Sequence, residues 1–235
     1  MAGDVAREAL RARVRAMPWA VRLQLRALEA GVDATQRRDG TINRFLFSLL
    51  VDRDAPANPA RPDALGVRSV DASTGVRARV YFSSAPTATE TEPSPRPVIV
   101  YFNGGGFTYF SAATRPYDAL CRTICRETGA VVVSVSYRLA PEHRFPAAYD
   151  DGEAALRYLA TTGLPAEIPV RADLARYFLA GDSAGANIAQ HVAQRWTAAA
   201  TAGCRLTKQR AVERNTVRSK NRSIWSIEEG QSGKE

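Results

Sequence analysis

The 235-residue chain has few cysteines and few histidines, and its apolar residues never form a long run. The three cysteines, Cys121, Cys125 and Cys204, lack the spacing of metal ligands, and an odd number of them does not suit a disulfide scaffold. Cys121 and Cys125 stand four residues apart on a predicted helix, which indicates reduced, half-buried thiols in a cytosolic protein. No stretch of about 18 apolar residues exists, so no membrane-spanning helix is expected.

Lysine is also rare, since its three occurrences, Lys208, Lys220 and Lys234, all follow residue 207. The formal net charge is nevertheless +8, because arginine supplies the other basic side chains. A basic balance can indicate a nucleic acid or an anionic membrane as partner. No basic stripe is interleaved with aromatic residues for base stacking, so we expect a solvated basic surface and neither of these partners.

The N-terminus lacks the apolar core of a secretory signal. It is rich in arginine, as organellar transit peptides are, but it carries Asp4 and Glu8 and has no serine before Ser48. Import into an organelle is therefore disfavoured. We expect a cytoplasmic location, with the nucleus as a second compartment.

The N-terminal part of the chain is predicted to be helical and separate from the rest. Apolar residues recur near the 3.6-residue period over positions 5–28, with Pro18 as a break or kink. Thr41 follows an Asp-Gly turn and is a candidate cap for a second helix. A proline-rich linker covers residues 54–64. The chain is thus divided into a helical segment with its linker (1–62), a core (63–207) and a basic tail (208–235).

The core has the pattern of an α/β protein with a mostly parallel sheet. Residues 66–71 and 76–83 alternate in polarity around a Ser-Thr-Gly turn, which predicts an antiparallel hairpin at the start of the sheet. Later apolar runs lack this alternation, which is typical of strands covered on both faces. These strands are predicted at 97–103, 130–137 and 177–181, and helices are predicted at 116–128, 147–160 and 184–200. Their alternation along the chain favours parallel pairing with helices on both faces.

Residues 181–185, G-D-S-A-G, match the nucleophile-elbow pattern G-x-S-x-G. That motif holds a serine at a strained backbone angle between a strand and a helix, and small neighbours keep its hydroxyl exposed. The match is weak in isolation, but here a predicted strand precedes it and a predicted helix follows it. Ser183 is therefore the candidate nucleophile, and Ala184 begins a helix whose positive dipole end favours a developing anion.

Residues 103–107, N-G-G-G-F, directly follow the first buried strand. Glycines in a strand-to-helix loop let the backbone approach a substrate and direct several amides at one point. We assign an oxyanion-binding role to the amides of Gly105, Gly106 and Ala184. A flexible loop or a phosphate-binding turn is the alternative, but the G-x-G-x-x-G spacing of dinucleotide sites and the Gly-Lys-Ser/Thr of a P-loop are both missing. No cofactor and no metal are expected.

Four motifs together resemble the plant carboxylesterases of the hormone-sensitive-lipase-like group of α/β-hydrolases, which also includes the soluble gibberellin receptors. The motifs are D-G-T-I-N-R-F-L (39–46), N-G-G-G-F (103–107), Y-R-L-A-P-E-H-R-F-P-A-A-Y-D-D-G (137–152) and G-D-S-A-G-A-N-I-A (181–189). The resemblance extends from about Pro18 to about Leu206. It implies a partial α/β-hydrolase fold in which the N-terminal helical segment is a lid over a pocket for a small-molecule ester or hormone-like ligand. It also implies hydrolysis of carboxylic esters by a serine whose proton passes to a His that an Asp orients.

The chain departs from this family at two places. Asn103 stands where the family's glycine loop usually begins with His, which implies lower activity rather than a different reaction. The triad of this fold runs Ser, then Asp or Glu, then His, and only His143 and His191 exist. His143 precedes Ser183, and His191 lies about 12 Å further along the same predicted helix at about 1.5 Å per residue. We therefore expect the acid and the base of the triad to be missing.

The residues after 207 have the composition of a different stretch of sequence joined to a C-terminally truncated hydrolase core. They have little apolar content and no strand pattern, so we expect residues 208–235 to be mostly disordered. The strands that the family places after Ser183 would be absent. The nucleophile strand would then have an unpaired edge.

Two functions stay open at this point. The first is a serine carboxylesterase lineage that is weak or inactive in this chain because the triad acid and base are missing. The second is a non-catalytic protein that binds a gibberellin-like small ligand. The gibberellin receptors carry serine at the third glycine of the loop, whereas Gly106 keeps the esterase form, and this favours the first. The sequence reveals neither the substrate nor the oligomeric state.

Overall fold

The computed structural model describes residues 16–83, 95–201 and 222–228. The chain divides into two compact units, Met1–Arg53 and Asp54–Glu235. The proline-rich residues 54–62, which we grouped with the N-terminal segment, lie in the second unit. Asn58 ties them there, because its amide nitrogen donates to the carbonyl of Val67 at 3.2 Å.

Within its described residues, the first unit contains the helices α1 (Trp19–Thr35) and α2 (Arg44–Leu50). Helix α1 begins directly after Pro18, where the sequence predicts a break. The predicted helical residues before position 16 lie outside the described part of the chain.

The cap of α2 is Asn43 rather than Thr41, so this sequence prediction is wrong. The side-chain oxygen of Asn43 accepts the N–H of Leu46 at 3.1 Å. The backbone N–H and the hydroxyl of Thr41 both donate to Asp39 Oδ1, at 2.9 and 2.7 Å. This local Asx turn uses the threonine hydroxyl, so it does not serve the helix.

The second unit is a six-stranded mixed sheet flanked by three helices, as far as the described residues extend. The strands are β1 (Val67–Ser73), β2 (Arg77–Ser83), β3 (Arg96–Phe102), β4 (Val131–Val135), β5 (Ala172–Asp182) and β6 (Arg222–Glu228), and the helices are α3 (Arg115–Thr128), α4 (Ala147–Thr162) and α5 (Ala184–Thr201). They lie in the sheet in the order β1-β2-β4-β3-β5-β6. Strand β3 is parallel to β4 and β5, whereas β2 pairs antiparallel with both β1 and β4. The predicted α/β class and the antiparallel hairpin at its start are confirmed.

The central strands are buried on both faces, as the lack of alternation in their sequences predicts. Every residue of β4 is buried. Val100 and Val133 lie in the larger core cluster on one face, and Tyr101 and Val132 lie in a second cluster on the other face. Helices therefore cover both faces, and the carboxyl ends of the parallel strands are the accessible edge at which a site can form.

Residues 222–228 correct the prediction for the tail. They form β6, whose backbone pairs antiparallel with β5, from Arg222 opposite Asp182 to Glu228 opposite Arg176. The predicted disorder is wrong for this segment, and so is the predicted unpaired edge of β5. A free strand edge offers a row of N–H and C=O groups, and R-S-I-W-S-I-E contains isoleucine and tryptophan, which favour strands. Residues 202–221 and 229–235 lie outside the described part of the chain.

Cys121 and Cys125 on α3 are fully buried, at 0% exposure each, rather than half-buried as the sequence suggests. Burial raises the pKa of the Cys121 thiol to about 12 and that of the Cys125 thiol to about 11. Both thiols therefore stay protonated near neutral pH, which makes them unreactive packing residues. Cys204 lies outside the described residues.

A buried ion-pair network attaches α3 to the strands and to the segment before them. Arg122 donates to Asp118 on its own helix at 2.6 Å, to Asp63 at 3.0 Å, and to Asn58 and Ser69 at 2.8 Å each. The guanidinium of Arg122 thus has partners in three separate stretches of the chain. A buried charge with this many hydrogen bonds is costly to leave unpaired.

We predict that Arg122→Met destabilises the protein by about 3–5 kcal/mol, because the buried Asp118 would lose its 2.6 Å ion pair with Arg122 and keep only the longer one with Arg79, at 3.2 Å. Arg126→Met on the same helix is the matched control. Arg126 is half exposed, and its ion pair with the exposed Glu127 is long, at 3.8 Å. The control should lose less than about 0.5 kcal/mol. Urea unfolding of both variants measures the difference, and equal losses would contradict a structural role of the network.

Candidate active site

The two motifs singled out in the sequence lie at the same edge of the sheet. Strands β3 and β5 are parallel neighbours, and their register places Phe102 opposite Gly181. The glycine loop 103–107 and the elbow 181–185 therefore leave the sheet side by side. The structure thus brings the candidate nucleophile and the candidate oxyanion loop together.

Both outer glycines of G-D-S-A-G are required by close backbone packing. A Cβ on Gly181 would come within 2.5 Å of the carbonyl carbon of Gly185. A Cβ on Gly185 would overlap the carbonyl of Phe102 and lie 2.7 Å from the carbonyl oxygen of Asn103. The missing side chains let the start of α5 press against the end of β3, which fixes the elbow relative to the glycine loop.

Ser183 occupies the junction between β5 and α5 with a backbone φ of +51°. This left-handed conformation costs a non-glycine residue about 1–2 kcal/mol, and such strain is concentrated at functional sites. Its side chain is exposed. Ala184, the next residue, is the first of α5, so its N–H has no partner within the helix and lies at the positive end of the helix dipole.

The glycine loop is held from inside by Asn103. Its side-chain nitrogen donates to the carbonyl of Gly104 at 2.8 Å, and its own carbonyl accepts the hydroxyl of Tyr137 at 2.7 Å. Asn103 thus hydrogen-bonds to the backbone of the loop. Gly105 and Gly106 have φ values of +122° and +63°, which explains the glycines at these positions.

The hydrogen bonds that close the turn of this loop do not use the N–H groups of Gly105 and Gly106. The N–H groups of Thr108 and Tyr109 both donate to the carbonyl of Gly105, at 3.1 and 2.9 Å. Within the described residues, the N–H groups of Gly105 and Gly106 have no hydrogen-bond partner. They are therefore available to an oxygen atom of a ligand.

Asp182 is a site residue that the sequence analysis missed. Its Oδ1 accepts the hydroxyl of Tyr101 at 2.8 Å and the N–H of Gly104 at 3.0 Å, and its Oδ2 accepts the hydroxyl of Tyr117 at 3.0 Å. Burial raises the pKa of Tyr101, and the Asp182 carboxylate raises it further. In the sequence, Asp182 occupies only the variable position of G-x-S-x-G. The groups that donate to it are 65 to 81 residues away along the chain, so no local pattern identified it.

The third motif, residues 137–152, borders the same site. The N–H of Ala140 donates to the carbonyl of Phe107 at 2.9 Å, which connects the motif to the glycine loop. The hydroxyl of Tyr149 donates to Asn187 at 2.7 Å, one helical turn after Ser183. The rings of Phe107 and Tyr149 are 5.9 Å apart, so an aromatic surface flanks the elbow.

Neither histidine contacts Ser183 among the described residues. His143 is an exposed residue of the loop between β4 and α4, and its backbone N–H donates to Leu139. His191 packs against Tyr149, with ring centroids 5.2 Å apart, and its Nδ1 is 2.9 Å from the carbonyl of Asn187. The ring of His191 is therefore held two helical turns beyond the elbow.

The described part of the chain contains no cluster of three or more side chains suited to a metal ion. None of its helices is both long and apolar enough to cross a membrane.

We predict that Gly185→Ala destabilises the protein by about 3 kcal/mol or more, because its new methyl group would meet the backbone at the end of β3. Gly106→Ala is the control, since a Cβ there meets nothing within 4 Å and only the positive φ opposes it, at about 1–2 kcal/mol. Urea unfolding of both proteins tests this. Equal stability of the two variants would show that the elbow is not tightly packed against β3.

Comparison with known proteins agrees with this geometry. Residues 99–223, just over half of the chain, match the family model described as alpha/beta hydrolase fold. The gibberellin receptor GID1 of Oryza sativa subsp. japonica is 42% identical over 186 residues, which are 68% of this chain and 50% of the receptor. Carboxylesterase 20 of Arabidopsis thaliana is 40% identical over 162 residues, 67% of this chain and 48% of that protein.

A solved structure named "Pyrobaculum calidifontis esterase monoclinic form" is 34% identical with a TM-score of 0.47, over 60% of this chain and 42% of that one. The chain spans about half the length of the curated relatives it matches. The resemblance to the hormone-sensitive-lipase-like plant carboxylesterases and gibberellin receptors is confirmed. The chain belongs to the α/β-hydrolase fold family.

Proposed function

We propose that this chain carries the ester-hydrolysing site of a serine carboxylesterase, with Ser183 as the nucleophile. The observation that carries the proposal is the backbone of Ser183, a non-glycine residue held at φ +51° beside a loop that contains two left-handed glycines. A strained serine between a strand and a helix is the arrangement that presents a nucleophilic hydroxyl to a substrate. A relative named Carboxylesterase 20 supports the same chemistry.

In the proposed reaction, Ser183 Oγ attacks the carbonyl carbon of a small-molecule ester while its proton passes to a base. The carbonyl oxygen becomes an oxyanion, which accepts hydrogen bonds from the amides of Gly105, Gly106 and Ala184. Each such donor contributes about 10²–10³ in rate. Collapse of the tetrahedral intermediate breaks the C–O bond and releases the alcohol, and water then hydrolyses the acyl-serine. These steps need neither a metal nor a cofactor.

Among the described residues, the proposed site has no histidine in contact with Ser183 to act as the base, so we expect slow turnover in a chain of this sequence. His143 and His191 are its two histidines. His191 is held against Tyr149 and Asn187, and no contact joins His143 to Ser183 among the described residues. A serine hydrolase site without its base retains only the oxyanion-hole and binding contributions, about 10³–10⁴ over water.

Free imidazole should take the role of the base, so that the rate of ester hydrolysis comes to depend on Ser183. Without imidazole, hydrolysis of p-nitrophenyl acetate should not exceed about 10³–10⁴ times the uncatalysed rate, and Ser183→Ala should change it little. Added imidazole should raise the rate of the unmodified chain above that of Ser183→Ala at the same imidazole concentration. The variant controls for the direct reaction of imidazole with the ester.

Two results would contradict this prediction in different ways. A rate typical of esterases without imidazole that disappears in Ser183→Ala would refute the slow turnover. An equal response of both proteins to imidazole would refute Ser183 as nucleophile.

A second candidate function is the binding of a gibberellin-like ligand without catalysis. The 42% identity to a protein named gibberellin receptor favours it. Glycine at position 106 opposes it, because the resemblance implies serine there in the receptors. Two further expectations, a lid role for residues 1–50 and a cytoplasmic or nuclear location, stay predictions.

We predict that isothermal titration calorimetry with a gibberellin shows no saturable heat up to high micromolar ligand. The reason is that the glycine loop keeps its esterase form at Gly106. Saturable heat that Gly106→Ser strengthens would instead establish the binding function over the esterase lineage.

A further inference from the structure

The carboxylate of Asp182 connects the elbow to the glycine loop. Asp182 is the last residue of β5 and the covalent neighbour of Ser183. Its three hydrogen-bond donors come from the end of β3 (Tyr101), from the glycine loop (Gly104) and from α3 (Tyr117). All three donors are neutral, and no basic side chain forms an ion pair with Asp182 among the described residues. These hydrogen bonds therefore hold β3, the glycine loop and α3 in place around Asp182, and they do not neutralise its charge.

The fit between Asp182 and Gly104 is close. A Cβ on Gly104 would lie 2.6 Å from Asp182 Oδ2 and 3.0 Å from the hydroxyl of Tyr117. Gly104 is therefore glycine because the carboxylate occupies the space of its side chain. Its N–H is used by Asp182 and is not available to a substrate.

The bond to Gly104 lies directly before the two amides assigned to the oxyanion. The orientation of the Gly104 N–H fixes the start of the loop, and the left-handed Gly105 and Gly106 follow directly. The carbonyl of Gly105 is bound by the N–H groups of Thr108 and Tyr109. The loop is thus held at both sides of the two amides that have no partner of their own among the described residues.

We propose that Asp182 is a positioning residue that holds the amides of Gly105 and Gly106 towards the carbonyl attacked by Ser183. The inference rests on the proposed function and adds to it the group that keeps the oxyanion loop in register with the nucleophile. Asp182 does this from the nucleophile's own strand, so any shift of the elbow carries the loop with it. Preorganised donors of this kind act because they need no reorientation during the reaction.

The test compares Asp182→Asn with Asp150→Asn, a control whose exposed carboxylate pairs with Arg195 at 2.8 Å. In Asp182→Asn an NH₂ group replaces one acceptor oxygen. It then faces one of the three donors and cannot accept its hydrogen bond. Amide hydrogen exchange of peptides spanning residues 103–110 should then be about tenfold faster, as expected for loss of a charge-assisted hydrogen bond. The control should exchange like the unmodified chain.

Imidazole-assisted hydrolysis of p-nitrophenyl acetate supplies the second readout. Asp182→Asn should lower kcat by about 10²-fold, the effect of one lost oxyanion donor, with KM within about twofold. A merely structural role would instead accelerate exchange throughout the core strands. Unchanged exchange at 103–110, unchanged kcat, or faster exchange spread over β3 to β5 would each overturn the proposal.

Tyr117→Phe keeps the proposal testable if Asp182→Asn does not fold. This change removes one donor to Oδ2 and should give faster exchange in the same peptides with a smaller fall in kcat. Unaltered exchange in that variant would overturn the proposal as well. If the unmodified chain shows no Ser183-dependent hydrolysis even with added imidazole, the proposed function fails, and the exchange measurement still decides whether Asp182 holds the loop.

Discussion

The contact between the start of α5 and the end of β3 is the constraint on which the rest of the site depends. Gly181 and Gly185 have no side chains, so the backbone of the elbow lies against the carbonyls of Phe102 and Asn103. Backbone atoms cannot give way as flexible side chains do. This contact therefore fixes the distance between two loops that the sequence separates by more than 70 residues.

The strain at Ser183 is stable because several independent contacts surround it. The strand before it pairs with β3 on one side and with β6 on the other. The helix after it packs on the same core through Ile188 and Val192. A left-handed serine costs about 1–2 kcal/mol, which is small beside the burial of these side chains.

Helix α3 links the site to the network of buried charges on the same face of the sheet. Its first turn provides Tyr117, which donates to Asp182, and the next residue, Asp118, binds both Arg79 and Arg122. These arginines reach β1 and the segment before it. The ion-pair network thus anchors the helix that supplies one of the donors at the elbow, so stability and site geometry share one element.

The sequence by itself determined the strands β1 to β5, the helices of the core, the elbow and the glycine loop, because burial on two faces and special backbone angles leave local patterns in hydrophobicity and glycine. It did not reveal Asp182 as the link between the loops, the partners of Arg122, or the pairing of residues 222–228 with β5. Only the tertiary structure decided these. The physical reason is that the partner of a buried charge or of a strand edge lies far away along the chain, and no local periodicity in the sequence indicates which residue it is.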